Sequence, residues 1–297
     1  MSSASHSDHD HDHDHATGAR LRWALILTSV FMVLEVAAGF WSGSLALLAD
    51  AGHMLTDSAA LGLALFAVVV SRRPPDARRT YGYGRMRVLA AFINGLALLV
   101  IAAWIVIEAV RRLDSPVEIL AGPMLAVAFA GFVVNVIVYL TLRGGTDLNT
   151  RGAMAHVLGD LLGSVAAIAA ATIILATGWT PADPLLSIVV AALIVRTGWH
   201  VTRESGHALL EGSPPDFDAG KVERSLLEAI PELQGVHHVH AWTVGADDSY
   251  VTLHVCAADS LGPDSAVARV QMHLAERFGY QHITVQVEYG ACADQAH

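Results

Sequence analysis

Six long apolar segments constrain the fold of this chain more than any other feature of its sequence. Each reaches the roughly 20 residues that an α-helix needs to cross about 30 Å of hydrocarbon. Helices also satisfy their own backbone hydrogen bonds in lipid, where water cannot. The predicted transmembrane helices are Leu21–Trp41, Ser44–Ser71, Val88–Val110, Ile119–Leu142, Gly152–Thr177 and Pro184–Val201. The composition agrees, because 54% of the 297 residues are hydrophobic and only 15% are charged.

The arginines predict how these helices are oriented. A short connection between the second and third spans is dense in arginine, which marks it as cytoplasmic by the positive-inside rule. The arginines of this connection are Arg72, Arg73, Arg78, Arg79, Arg85 and Arg87. An even number of spans then places both termini in the cytoplasm. The alanine- and arginine-rich composition is in keeping with a bacterial inner membrane, with an organelle membrane as the alternative.

The chain divides into four predicted parts. Residues 1–20 form a polar tail in which histidine alternates with aspartate from Asp8 to His15. This tail cannot bury a core and is expected to be disordered, serving either to capture zinc weakly or only to solvate the terminus. Residues 21–211 form the membrane domain, which ends at the helix-breaking stretch Gly212–Pro215. Residues 212–290 form a cytoplasmic domain, and 291–297 a short tail.

The cytoplasmic domain alternates between two periodicities. Helical spacing covers Phe217–Ile230 and Ser265–Phe278, whereas strand-like alternation covers Val236–Val244, Tyr250–Ala257 and Ile283–Tyr289. The order αββαβ predicts a small α+β domain with one sheet. The predicted fold is therefore an α-helical membrane protein with six transmembrane helices and a C-terminal α+β domain.

Several function classes are disfavoured by what the sequence contains. A net charge of −10 argues against nucleic acid, whose phosphates attract basic surfaces. The sequence has neither the Gly-x-x-x-x-Gly-Lys pattern of a nucleotide-driven pump nor the His-Glu-x-x-His pattern of a metallopeptidase. No nucleotide partner and no enzymatic activity are expected. Two cysteines are too few for a disulfide scaffold.

Two spans carry the same ionisable pattern, His-x-x-x-Asp. It occurs as His53 and Asp57 in the second span and as His156 and Asp160 in the fifth. Charged side chains within a bilayer cost about 2.5–3.5 kcal/mol each, so they mark functional sites. Residues four apart share one helix face, so two facing helices would bring two nitrogens and two oxygens together. That set matches the tetrahedral coordination of zinc.

The charges of this set also suit a divalent ion. Two neutral imidazoles and two carboxylates supply −2, and a neutral complex avoids much of the cost of burying charge. Imidazole disfavours calcium and magnesium, which prefer more oxygen ligands, whereas Cd²⁺ and Co²⁺ remain alternatives to Zn²⁺. The competing interpretation is that these groups only form hydrogen bonds between helices.

Other polar residues in the spans have more than one interpretation. Asp50 lies on nearly the same face as Asp57, displaced towards the non-cytoplasmic side. It is either a carboxylate of the exit path or proton relay, or a group at a water-filled mouth. Packing or cavity lining is preferred over metal binding for Glu35 and Asn135.

The sequence resembles the cation diffusion facilitator family, in particular its bacterial zinc, cadmium and cobalt resistance branch. The resemblance rests on the motifs Leu48–Asp57, Tyr81–Arg85, His156–Asp160, Asp183–Pro184 and Gly235–Trp242. It implies a homodimer in the lipid bilayer that exports zinc from the cytoplasm in exchange for protons. It also implies that the two His-x-x-x-Asp pairs form the transport site.

Proton exchange is also consistent with histidine chemistry. Free histidine titrates near about pH 6.5, and a metal binds only its neutral form. Zinc loading must therefore displace any protons on His53 and His156. These two histidines are predicted to carry the coupling, with Asp50 as a further candidate.

The resemblance also implies a cytosolic metal site, formed by His237, His254 and Glu288. His240 and Cys292 are candidates to complete its coordination shell. His238 is expected on the opposite face of its strand from His237, since side chains of a strand alternate. Some family members have a further histidine two residues before the acid, where this chain has Gln286, so a second metal would lack that ligand while a site for one metal is retained. Zinc would thus be both the transported ion and a regulatory ligand.

The alternative function is a membrane-anchored cytosolic zinc sensor without transport. In that case the αββαβ domain would be the functional part. The His-x-x-x-Asp pairs within the spans count against it, because a sensor needs no metal site inside the membrane.

Overall fold

The structure, a computed structural model, describes residues 26–143, 148–244 and 249–290. The side chains at 57, 61, 64, 148–153, 155 and 156 lie outside this description, as do the N-terminal His/Asp tail and Cys292. The chain forms two compact units. One comprises Met1–Gly62 with Asn94–His200, and the other comprises Leu63–Ile93 with Val201–His297.

Six apolar helices precede the C-terminal domain in the described residues. They are α1 (Ile26–Ser42), α2 (Leu45–Ser71), α3 (Arg85–Asp114), α4 (Ala121–Leu142), α5 (Leu148–Thr177) and α6 (Ala182–Leu209). Helices α2 to α6 are long and apolar enough to cross a membrane, and α1 is a shorter apolar helix whose predicted first residues are not described. The predicted class, a helical membrane protein with a small C-terminal α+β domain, is confirmed.

Small residues allow the helices of the first unit to pack closely. One cluster joins α1, α2, α4 and α5 and contains the fully buried residues Ala167, Ala170 and Ala171 of α5. A second cluster joins α2, α3 and α6. Helix–helix contact in lipid depends on such short side chains, because lipid supplies no hydrophobic driving force between helices. Helix α2 takes part in both clusters and is thus held between α5 and α6.

A carboxylate from α6 holds the start of α2. Asp183 is fully buried and accepts hydrogen bonds from the Ser44 hydroxyl at 2.7 Å, the Leu45 amide at 2.8 Å and the Ala46 amide at 3.1 Å. The first amides of a helix have no acceptor within their own helix. Asp183 therefore acts as an N-cap supplied by a distant element and fixes where α2 begins.

The second unit contains the α+β domain. Its elements are α7 (Ala219–Ala229), β1 (Leu233–Thr243), β2 (Ser249–Ala257), α8 (Pro263–Phe278) and β3 (His282–Tyr289). The strand order is β1-β2-β3, with β1 antiparallel and β3 parallel to β2. Both helices pack on one face of the sheet, around a core that includes Leu226, Val251 and Leu274. The other face is left for polar side chains.

Candidate metal sites

The His-x-x-x-Asp turn of α2 faces α5. A Cβ placed at Gly159 of α5 would lie 4.0 Å from the His53 Nε2 atom. One turn away, a Cβ at Gly163 would overlap the Asp50 carboxylate. The absence of a side chain at Gly163 therefore leaves room for Asp50, whereas Gly159 only marks how near His53 comes to α5. Asp160 follows Gly159 directly and is only 1% exposed.

These contacts define the register between the two helices. Position 50 on α2 lies opposite position 163 on α5, and position 53 lies opposite 159. Numbers rise along α2 as they fall along α5, so the helices run antiparallel here. The next turn on α2 carries Asp57, and the next turn on α5 carries His156; the backbone is helical at both. The backbone thus brings the two predicted pairs to the same height along the axes of α2 and α5. The side chains of Asp57 and His156 are not described.

Further buried polar side chains lie near Asp50. Glu35 of α1 and Asn135 of α4 are fully buried. The Asn135 amide donates to the Ser164 hydroxyl at 3.4 Å, and that hydroxyl lies 3.5 Å from the Asp50 carboxylate. Asp50 is 1% exposed, so it lies among helices in this structure and not at a solvent-filled opening.

The cytosolic histidines meet on the helix-free face of the sheet. Strand register pairs His237 with His254 and places Cys256 opposite Glu288. The His237 Nε2 atom lies 3.3 Å from one oxygen of Glu288, and the His254 Nδ1 atom lies 3.1 Å from the other. Neither nitrogen has a hydrogen-bond partner within the described part of the chain, so both approach the carboxylate without the alignment of a hydrogen bond. That arrangement suits ligands around a shared metal ion. Gln286 donates to Glu288 at 3.0 Å and holds the carboxylate in place.

The prediction for His238 is wrong. It was expected opposite His237, but its ring centroid lies 5.1 Å from that of His237 and 4.9 Å from that of His254. The cause is a β-bulge between His237 and His240, with His238 at a positive φ of 49°. A left-handed backbone costs roughly 1–2 kcal/mol for a residue other than glycine, and such strain tends to occur at functional sites. The sequence contains no glycine or proline at the bulge that would reveal it.

The other candidate ligands are not brought into this cluster. His240 is exposed, and among the described residues it is in neither group of side chains whose ligand atoms converge. The Cys256 sulfur lies within 4.8 Å of the His237 and Glu288 ligand atoms, but Cys256 is disulfide-bonded, so it supplies no thiolate. Cys292 lies outside the described residues.

The fold and these sites together define a class of protein. Helices suited to crossing a membrane carry the predicted His-x-x-x-Asp pairs on facing turns, and a separate α+β domain carries a second set of histidines. Such an arrangement is typical of a membrane protein that carries metal ions. Its acidic and imidazole groups lie inside the helical bundle, where ionisable residues mark an ion pathway.

Comparison with known proteins identifies the family. Residues 21–210 match the cation efflux transmembrane domain, and residues 214–289 match the cytoplasmic domain of cation efflux proteins. The chain therefore belongs to the cation efflux family, the cation diffusion facilitators predicted from the motifs. Its members are transporters and not enzymes.

Similar proteins support the same placement. The zinc transporter ZitB of Yersinia pestis is 49% identical over 276 residues, covering 92% of this chain and 88% of the relative. ZitB of Escherichia coli strain K12 is 48% identical with the same coverage. The cadmium, cobalt and zinc/H(+)-K(+) antiporter of Bacillus subtilis strain 168 is 39% identical over 271 residues, covering 89% of this chain and 87% of the relative.

Proposed function

We propose that this protein exports zinc from the cytoplasm in exchange for protons, through a site formed by His53, Asp57, His156 and Asp160. Cd²⁺ and Co²⁺ are secondary substrates of the same class. The observation that carries the proposal is the approach of His53 to α5 at Gly159, beside the buried Asp160. The names of the ZitB relatives support zinc, and the name of the Bacillus antiporter supports exchange with protons.

The transport site works through charge balance and geometry. Two neutral imidazoles and two carboxylates offer four ligands with a total charge of −2, so the loaded site is neutral. A neutral tetrahedral complex is far less costly inside the helical bundle than a bare divalent ion. The glycine at 163 matters here, because a Cβ at that position would overlap the Asp50 carboxylate of α2.

Proton exchange follows from competition for the same atoms. Zinc binds only imidazole nitrogens that carry no proton, so loading displaces protons from His53 and His156 and reprotonation promotes release. Asp50 lies beside Ser164 and Asn135 in a buried polar path. This contact supports a role for Asp50 in passing a proton between the site and the far side.

The cytosolic domain supplies a regulatory zinc site. On the helix-free face of the sheet, Glu288 lies 3.3 Å from His237 and 3.1 Å from His254, each close to the spacing of two neighbouring ligands of one ion. The match to the family's cytoplasmic domain supports a homodimer. We place both termini in the cytoplasm and the protein in a bacterial inner membrane, on the basis of the arginine-rich connection between α2 and α3.

The test is zinc uptake into proteoliposomes with an imposed pH gradient. Wild type should transport, and Asp160→Asn, which keeps the side-chain size but removes the charge, should fall to the level of protein-free liposomes. Ser187→Ala is the matched control, since it removes a buried hydroxyl of α6 that, within the described residues, bonds a backbone carbonyl and no side chain. Equal flux in wild type and Asp160→Asn would refute the site. No flux in wild type, with zinc bound to the cytosolic domain, would favour the sensor alternative.

A further inference from the structure

The β-bulge of β1 changes which side chains the sheet presents to a metal. His237 pairs with His254, and the next pair in register is His240 with Thr252. Two residues of β1 therefore oppose one residue of β2, as in a bulge. Regular alternation would send His238 to the face covered by α7 and α8. The positive φ of His238 instead turns its ring to the same face as His237.

The result is a convergence of three imidazoles. The Nδ1 atoms of His237 and His238 lie 3.4 Å apart. One ring nitrogen from each of His237, His238 and His254 lies within 4.8 Å of the others. All three rings are partly buried, so they are sheltered from water without being closed off from an incoming ion.

Taken pair by pair, the distances are close to those between two ligands of one tetrahedral zinc ion. With zinc–nitrogen bonds of about 2.0–2.1 Å, neighbouring ligand atoms lie about 3.3–3.4 Å apart. The His237–His238 contact of 3.4 Å and the His237–Glu288 contact of 3.3 Å both fall at this spacing. The His254–Glu288 contact of 3.1 Å is slightly shorter. His237 faces His238 through one ring nitrogen and Glu288 through the other, so a ring rotation is needed for one ion to contact all of them.

We propose that His238 is the fourth ligand of the cytosolic site, which then binds one zinc ion through three imidazoles and the Glu288 carboxylate. This inference rests on the cytosolic site proposed above. Four protein ligands form a closed site of the structural kind, without the open position of a catalytic one. A single protomer would supply the whole shell, since the ligands all come from one sheet. The bulge then brings a metal ligand to the site, and the strained backbone at His238 is what turns its ring to that face.

The test compares two histidines of the same strand in the full-length protein. His238→Asn removes the imidazole but suits the left-handed backbone, which asparagine tolerates well. His240→Ala is the matched control, because His240 is exposed and outside the cluster. Both are made in the Asp160→Asn background, so that zinc bound at the transport site contributes little. Zinc affinity is measured by competition with a chelating dye, and coordination by the visible absorption of bound Co²⁺.

His238→Asn should weaken zinc binding at least about 10-fold. Even the loss of a residue that only hydrogen-bonds to a metal ligand typically lowers metal affinity about 10–100-fold. It should also lower the intensity of the Co²⁺ bands, as tetrahedral coordination is lost. His240→Ala should change neither. If His238→Asn binds like His240→Ala while His237→Ala binds weakly, the cytosolic site stands and the role of His238 is refuted. If His237→Ala also binds like wild type, the cytosolic site itself is refuted.

Discussion

Removing the Asp183 carboxylate should destabilise the helix that carries half of the transport site. Asp183→Ala takes the acceptor from the amides of Leu45 and Ala46 and from the Ser44 hydroxyl, all in a buried environment. A buried donor left without an acceptor costs about 1–3 kcal/mol, so the two amides alone give roughly 2–6 kcal/mol. The lost interaction of an anion with the start of a helix adds about 0.3–1 kcal/mol.

The assay is thermal unfolding of the purified protein in detergent, followed by tryptophan fluorescence. At roughly 2–4 °C per kcal/mol for a chain of this order of size, the melting temperature should fall by at least about 4 °C. Ser187→Ala, the control, also removes a buried polar group at the start of α6, yet it should shift the melting temperature far less, because its carbonyl acceptor remains bonded in the helix. If Asp183→Ala had the same melting temperature as Ser187→Ala, the capping role would be refuted.

Three further changes test other parts of the structure. Gly163→Ala should reduce zinc flux in proteoliposomes, because its Cβ would overlap the Asp50 carboxylate, whereas Gly62→Ala, with nothing within 4 Å, should not. Leu226→Ala should lower the unfolding free energy of the cytosolic domain by about 2–5 kcal/mol in denaturant titrations, because the side chain is fully buried. Hydrogen bonds lower the pKa of Asp76 below its ordinary value of 3.8. The stabilisation that ionised Asp76 gives to the α2–α3 connection should therefore be complete above pH 3.8. It should be lost as the pH falls through the lowered pKa. Amide hydrogen exchange of the connection, measured as a function of pH, checks this.

The membrane helices could be predicted from sequence because their signal is local. An apolar run of about 20 residues has few alternatives in lipid, and the helices differ from the predicted spans mainly at their ends. Helix α3, for example, extends to Asp114 beyond the predicted Val110. The cytoplasmic strands were predicted for the same reason, since a period of two along the chain reflects one covered face.

Features that depend on distant residues could not be predicted in this way. Asp183 was recognised only as a polar residue in a family motif, because its partners lie 137 to 139 residues away in sequence. The placement of His238 was wrong for a related reason. Alternation holds only while a strand stays regular, and nothing in the sequence around His238 marks the bulge that shifts it.

The central claim is that one zinc ion is bound between α2 and α5 by two imidazoles and two carboxylates. Zinc X-ray absorption spectroscopy tests it most directly, in full-length protein whose cytosolic ligands His237, His238 and His254 are replaced by alanine. The account predicts four nitrogen or oxygen neighbours at about 2.0–2.2 Å, with imidazole scattering that falls by about half in His53→Ala. Scattering without an imidazole contribution, or unchanged by His53→Ala, would contradict it.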